Sequence, residues 1–201
     1  IILFFFVYLL TSHLGFTQIL NNLDYVSPLN EGVIAIQKGN KWAFIDELGN
    51  FKVNFRDDLV LTKTKNNLYP IFKDGRCLIS QVKEGITYFG YIDNTGNTII
   101  KPQYLNALNF NNEIAIVLEL VKENAGKNEL LDKNIVYYTY YEVIIDSYGN
   151  VQNYLTQEGT NVTLDKRFLK VPPKITSELI TNSLYTIKNK NKRWAIKKIK
   201  N

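Results

Sequence analysis

Three aspartates are the residues whose spacing could do chemistry. Asp46, Asp93 and Asp146 each stand three positions before a Gly-Asn pair, at Gly49, Gly96 and Gly149, and lie 47 and 53 residues apart. A carboxylate so placed has two uses. It can ligate a hard cation such as calcium, or it can accept N–H groups of its own turn while the glycine adopts a positive φ. Calcium needs roughly six to eight oxygens, and one carboxylate per turn falls short. The turn reading is therefore expected: a type I turn closing into a glycine bulge that joins two antiparallel strands.

Other chemistries are narrowed by composition. The single cysteine, Cys77, excludes an internal disulfide and every zinc site built from several thiolates. The single histidine, His13, lies in an apolar leader, so triads and metal sites that need histidine are not expected in the mature chain. Asp57-Asp58 could in principle do acid–base work, but strand neighbours point to opposite faces, so a solvated turn is expected there. No phosphate loop, serine elbow or metal cluster is present in the sequence. The reading is a non-enzyme, with no catalytic, cofactor-binding or metal-binding residue assigned and no cofactor. Cys77 falls at a strand position and is read as a small core hydrophobe.

The elements that position these turns share one pattern. The strand before each turn is Lys41-Trp42-Ala43-Phe44-Ile45, then Tyr88-Phe89-Gly90-Tyr91-Ile92, then Tyr141-Glu142-Val143-Ile144-Ile145. Arg193-Trp194-Ala195-Ile196 starts a further copy and runs into lysines without the turn. Period-two alternation puts Trp42 and Phe44 on one face and Ala43 and Ile45 on the other. The small residue at position 43 or 90 predicts close approach of a neighbouring strand or sheet. Trp42, Phe44, Phe89, Tyr91 and Trp194 are expected in the core. An upstream strand precedes each, at 32–36, 76–79, 113–117 and 184–187.

After the turn comes a third strand, clearest at Thr98–Tyr104, where Pro102 marks an end or an edge. Phe168–Ile175 has the same shape. Leu23, Val26 and Leu29 correspond in spacing to Tyr104, Ala107 and Phe110. Val121–Asn134 reads as a long polar excursion, and Ser177–Ile180 as one helical turn. A unit of about 45 residues is thus repeated roughly three and a half times, at about 22–58, 69–104, 105–157 and 168–201. The fold class is all-β: serial antiparallel meanders in an open twisted array, with a small β-propeller as the alternative.

These residues resemble the WG (tryptophan–glycine) repeat family. Glu31-Gly32-Val33-Ile34 is similar to that family's Glu-Gly strand. Gly39–Asp46 and Phe89–Asp93 are similar to its Trp-Gly-aromatic-Ile-Asp strand, and Ile100–Tyr104 to its Ile-x-Pro-x-Tyr strand. Trp42 and Trp194 lack the following glycine, Gly90 lacks the preceding tryptophan, and the third copy has Glu142-Val143, so the copies are degenerate. The resemblance implies repeated β-units with binding roles and carries over no catalytic residues. The repeat-defining positions are Trp42, Asp46, Gly49, Phe89, Gly90, Asp93, Gly96, Asp146, Gly149 and Trp194.

Residues 1–10 are all apolar and small or polar residues follow, the pattern of a secretory signal peptide over 1–17 with Gln18 first in the mature chain; an uncleaved anchor is the alternative. The expectation is export, to a periplasmic, cell-surface or secreted location. Residues 188–201 hold seven Lys and Arg and no acid, so the net charge of +5 belongs to the C-terminus alone. The function expected is an exported binding or interaction scaffold, with a protein or surface polymer as partner. Loops at Val121–Asn134 and Gln157–Lys166 are candidates for specificity. The alternative is a membrane-anchored or anionic-surface binder of polysaccharide, lipid or nucleic acid that uses the basic end. Nucleic acid is disfavoured because no aromatic platform is interleaved, and membrane contact requires an uncleaved leader.

Overall fold

The computed structural model describes residues 20–65, 67–128, 132–188 and 191–199. The leader expected over residues 1–17 lies outside them. The described chain is all strand, turn and irregular segment, with seventeen strands and no helix.

Four sheets follow one another. The first holds β1 (Tyr25–Val26), β2 (Ile34–Lys38), β3 (Lys41–Ile45) and β4 (Phe51–Arg56) in that order. A small hairpin of β5 (Thr62–Lys63) and β6 (Leu68–Tyr69) intervenes. The second sheet holds β7 (Phe72–Lys73), β8 (Arg76–Lys83), β9 (Ile86–Ile92) and β10 (Thr98–Tyr104). The third holds β11 (Ile114–Asn128), β12 (Lys133–Asp146) and β13 (Val151–Tyr154), with β14 (Thr160–Val162) added to β12. The fourth holds β15 (Ser177–Thr181), β16 (Leu184–Lys188) and β17 (Trp194–Lys198). Neighbouring strands are antiparallel throughout, as short turns require.

The exit strands of the first two sheets run on into the next sheet. Past β4, Asp58 and Val60 pair with Ser80 and Leu78; past β10, Leu105, Asn106 and Leu108 pair with Leu118 and Ile116. The correspondence between 23–29 and 104–110 holds bond for bond. Asp24, Ser27 and Asn30 donate to Gln37, Ala35 and Val33, as Leu105, Leu108 and Asn111 donate to Leu118, Ile116 and Ile114.

The core lies between sheets. Trp42, Phe44 and Val53 of the first sheet pack on Cys77, Ile79 and Ile92 of the second. Leu78, Phe89, Tyr91 and Ile100 on the second sheet's other face meet Ala115, Val117, Val143 and Ile145 of the third. Ile116 and Ile144, on the third sheet's far face, meet Tyr185 and Ile199 of the fourth region. Inner sheets are covered on both sides, so their strands read as near-continuous apolar runs such as Cys77-Leu78-Ile79 and Ile114–Leu118. The clusters link sheets one to two, two to three and three to four. None of them joins the first sheet to the fourth, so among the described residues the array is open and not closed as a propeller would be.

Four local expectations are corrected. Ser177–Ile180 is not a helical turn but the body of β15, paired with β16. Of the excursion expected at Val121–Asn134, residues 129–131 lie outside the described residues and the rest is not a loop; β11 and β12 pair with a register that runs from Ile114↔Asp146 to Asn128↔Lys133. Phe168–Ile175 is not a strand. Asp165 caps a tight turn there, its carboxylate taking the Arg167 N–H and its carbonyl the N–H of Phe168 and Leu169. Trp194 is not core: it is 51% exposed, with the Lys188 ammonium 4.7 Å from its ring centre.

Candidate functional site

The three Asp-x-x-Gly turns are superimposable in chemistry. In each, the aspartate N–H donates to the carbonyl of the asparagine and the glycine N–H donates to the aspartate carbonyl. One carboxylate oxygen accepts two further backbone N–H groups: Leu48 and Asn50 on Asp46, Thr95 and Asn97 on Asp93, Tyr148 and Asn150 on Asp146. Gly49, Gly96 and Gly149 take φ of +85°, +87° and +89°, where a Cβ costs roughly 1 kcal/mol or more. The carboxylates thus serve the turns, as expected. The Asn50 N–H is the main reason Asp46 ionises below the usual range. Burial pushes Asp93 and Asp146 the other way, but the bonds from Thr95 and Asn97, and from Asn150, Tyr148 and Gln152, outweigh it and hold both low.

The second and third turns also occupy like surroundings. Gly96 sits on Val53, with its Cβ position 3.3 Å from Val53 Cγ1, and Gly149 sits on Ile100 at the same distance. Val53 and Ile100 are equivalent, pairing with Phe44 and Tyr91 on the strand before each turn. The preceding sheet also grips the glycine carbonyl. Arg56 Nη1 donates to Gly96 O at 3.0 Å, and the Tyr104 hydroxyl to Gly149 O at 3.3 Å. Arg56 is itself held by a two-pronged bond to Asp58, with Nη2 2.7 Å from Oδ2. Asp58 is therefore a seam residue and not merely a solvated turn.

The opposite edge of the array carries a second seam. The carboxylate of Glu31, in the turn before β2, accepts the N–H groups of Asp74 and Gly75 in the turn before β8. Asp74 in turn accepts the N–H of Glu113, before β11. The turns before β8 and β11 are thus each capped by the acid of the turn before.

The second-face residue of the motif strand sets how its exit strand passes. Opposite Trp42–Phe44 the partner runs from Arg56 to Val53, one residue longer, around Ala43. Opposite Phe89–Tyr91 it runs from Tyr104 to Ile100, two residues longer, around Gly90. Opposite Val143–Ile144 it runs from Tyr154 to Asn153 with no excess. At Gly90 the backbone of Ile100, Lys101 and Pro102 stands 2.3–2.8 Å from where a Cβ would be. The small residue marks a backbone crossing, and Pro102, which has no N–H to offer, lies within the bulge.

Glu142 takes the place that Trp42 and Phe89 hold in the other sheets. It is 5% exposed, and its carboxylate accepts the N–H and hydroxyl of Thr176 and the N–H of Ser177. A buried acid thus docks the start of the fourth sheet where an aromatic docks the others. Of the other motif residues, Trp42 and Phe89 are buried at 6% and 9% exposure. Cys77 is fully buried, and burial pushes its thiol far above the ordinary value.

Sequence reasoning missed Glu31, Asp74, Arg56, Tyr104 and Glu142 as seam residues. Acid-Gly pairs recurring at 31–32 and 74–75 were a usable signal for the first two. No signal linked Arg56 to Tyr104, since one position is filled by two chemistries.

The first seam opens into a groove of about 830 Å³ between β4 and β8, lined by Asn54–Asp58, Ile79–Val82, Thr95 and Gly96. Ser80 N–H and Leu78 C=O on β8 face the passing chain at Asp58 and Val60. By strand alternation the N–H and C=O of Val82 point the same way, into the groove. Val82 is 65% exposed.

A family model described as a WG containing repeat matches residues 22–42 and 89–119. These spans cover the opening of the first sheet, and the motif strand and exit strand of the second together with the start of β11. No curated protein and no solved structure gives a match.

Proposed function

We propose that this chain, a WG repeat-containing protein, is an exported, non-enzymatic scaffold that binds extended protein segments along the seams between its sheets. The observation that carries the reading is the groove at the first seam, where an open strand edge at Val82 faces β4 across about 830 Å³. An edge with outward N–H and C=O groups can accept a further strand, with side-chain contacts supplying selectivity. The polar and apolar lining, with Arg56 and Asp58 paired at its floor, suits a peptide better than a small apolar ligand. Export rests on the leader pattern of residues 1–17.

The test is affinity capture from the host's own surface or extracellular fraction with the wild-type protein and with Val82→Pro, which deletes one outward N–H. A partner retained by the first and lost by the second supports the reading. Partners unchanged by Val82→Pro remove the groove as the site, and no retained partner removes the scaffold reading. Mass analysis of the exported form checks export separately: loss of residues 1–17 is expected, and an intact leader favours the anchored alternative.

A second reading is favoured by the fourth sheet, where Lys188 lies over the exposed Trp194 and Lys197 and Lys198 follow. It is attachment to an anionic polymer or surface. Binding to an acidic polysaccharide that weakens as salt rises would support it.

A further inference from the structure

We propose that residues 164–175, which lead from the third sheet to the fourth, form a membrane contact: Phe168 and Val171 enter the surface of an anionic lipid bilayer, and the lysines around them meet its phosphates. The segment reads Leu164-Asp165-Lys166-Arg167-Phe168-Leu169-Lys170-Val171-Pro172-Pro173-Lys174-Ile175, with four Lys and Arg against one acid. Phe168 is 69% and Val171 75% exposed, while Leu169 between them is 8% exposed. Apolar residues scattered singly over a surface need no explanation. Here two stand three apart on one loop, and Lys166, Arg167, Lys170 and Lys174 beside them are exposed as well.

The loop is tied to the core, so this exposure is built into it. Leu169 packs with Ile86, Leu105 and Leu118. Asn106 Nδ2 donates to the Pro173 carbonyl at 2.7 Å, and the stem of Lys166 lies against Gly85. The Arg167 guanidinium donates to the Asp165 carboxylate, and its carbon stands 5.8 Å from the centre of the Phe168 ring. The one acid of the segment is thus occupied within it.

The backbone favours a bilayer over a protein partner. The Arg167 N–H donates to the Asp165 carboxylate, and those of Phe168 and Leu169 donate to the Asp165 carbonyl. Pro172 and Pro173 have no N–H. A partner strand needs a row of outward N–H groups, which this tip does not offer. A lipid interface needs the reverse, since donors left unsatisfied in a medium of low dielectric are costly. Long lysine stems let the ammonium groups stay among phosphates while the two apolar side chains go deeper. The positive charge of the loop supplies the attraction to an anionic surface. This contact uses neither the groove at Val82 nor the leader, so it goes beyond the binding reading.

The test is flotation with vesicles of phosphatidylcholine alone and of phosphatidylcholine mixed with phosphatidylglycerol. The protein is the chain from Gln18 onward, which keeps every described residue and removes the apolar leader as a lipid binder in its own right. Phe168→Ser combined with Val171→Ser is compared with Lys197→Gln combined with Lys198→Gln. All four sites are exposed, and circular dichroism checks that the fold is kept. The wild type is expected to float with the mixed vesicles and not with phosphatidylcholine alone. The serine variant should lose roughly tenfold or more in affinity, and the glutamine variant should keep most of it. Phe168→Trp should also be quenched by brominated lipid more than the wild type, whose Trp42 and Trp194 report on the first and fourth sheets. A wild type that does not float overturns the proposal, and so does equal flotation by the serine variant. Loss confined to the glutamine variant overturns it by placing the contact at the basic end. A protein captured through Phe168 without vesicle binding overturns it in favour of a protein partner. Failure here leaves the binding reading intact, since that is read by capture at Val82.

Discussion

At the scale of single residues, the small side chain of the motif is a clearance for backbone. Gly90→Ala puts a Cβ 2.3 Å from the Ile100 carbonyl, so the two-residue excess of β10 has to be rebuilt. We expect a loss of roughly 3 kcal/mol or more, measured by denaturant unfolding. Val143→Ala, at a position without a bulge, should cost only about 0.5–2 kcal/mol as an ordinary core truncation. If the two substitutions cost the same, the clearance argument fails. The turn aspartates set an acid limit. Their carboxyls ionise below the ordinary value in the folded protein. Their stabilisation is therefore complete above the unfolded value, about 3.9, and is lost as pH falls through the folded one. Asp93→Asn should flatten that acid-side decline in a pH series of unfolding midpoints; an unchanged slope would mean that Asp93 contributes nothing through its charge.

The elements show which parts of the fold are written locally. Asp and Gly three apart fix a turn whatever lies around them, so all three turns and the strands flanking them were legible. The Glu31–Asp74 seam was legible only as a repeated acid-Gly pair, since the bonds it makes reach 43 and 44 residues ahead. Glu142 was not legible, because its purpose lies 34 and 35 residues away at Thr176 and Ser177. The hairpin beyond Leu120 read as a loop because Lys122-Glu123-Asn124 and the residues after it show no apolar period. Ser177–Ile180 is too short for periodicity to separate a helical turn from a strand. Glu142→Gln tests this scale. It keeps the shape but gives up the charge that two N–H groups and a hydroxyl point at, at a cost of about 1–3 kcal/mol. Hydrogen exchange should rise across β15–β17 and not across β1–β4. Equal increases in both would show that Glu142 supports the whole protein and not one sheet.

Across the whole molecule, the sheets have no complete core of their own and borrow one face from each neighbour. That follows from the apolar runs of the inner strands, which the sequence displays, and from the order of the clusters, which it does not. Its consequence is nearest-neighbour coupling: disturbance should fade with distance along the series. The most direct measurement is residue-resolved hydrogen exchange of the native protein and of Phe44→Ala, which opens a cavity between the first and second sheets. The largest loss of protection is expected in β1–β4, a smaller one in β7–β10, and none beyond the wild type in β15–β17. Loss in β15–β17 as large as that in β7–β10 would contradict it, because the two ends would then share a core.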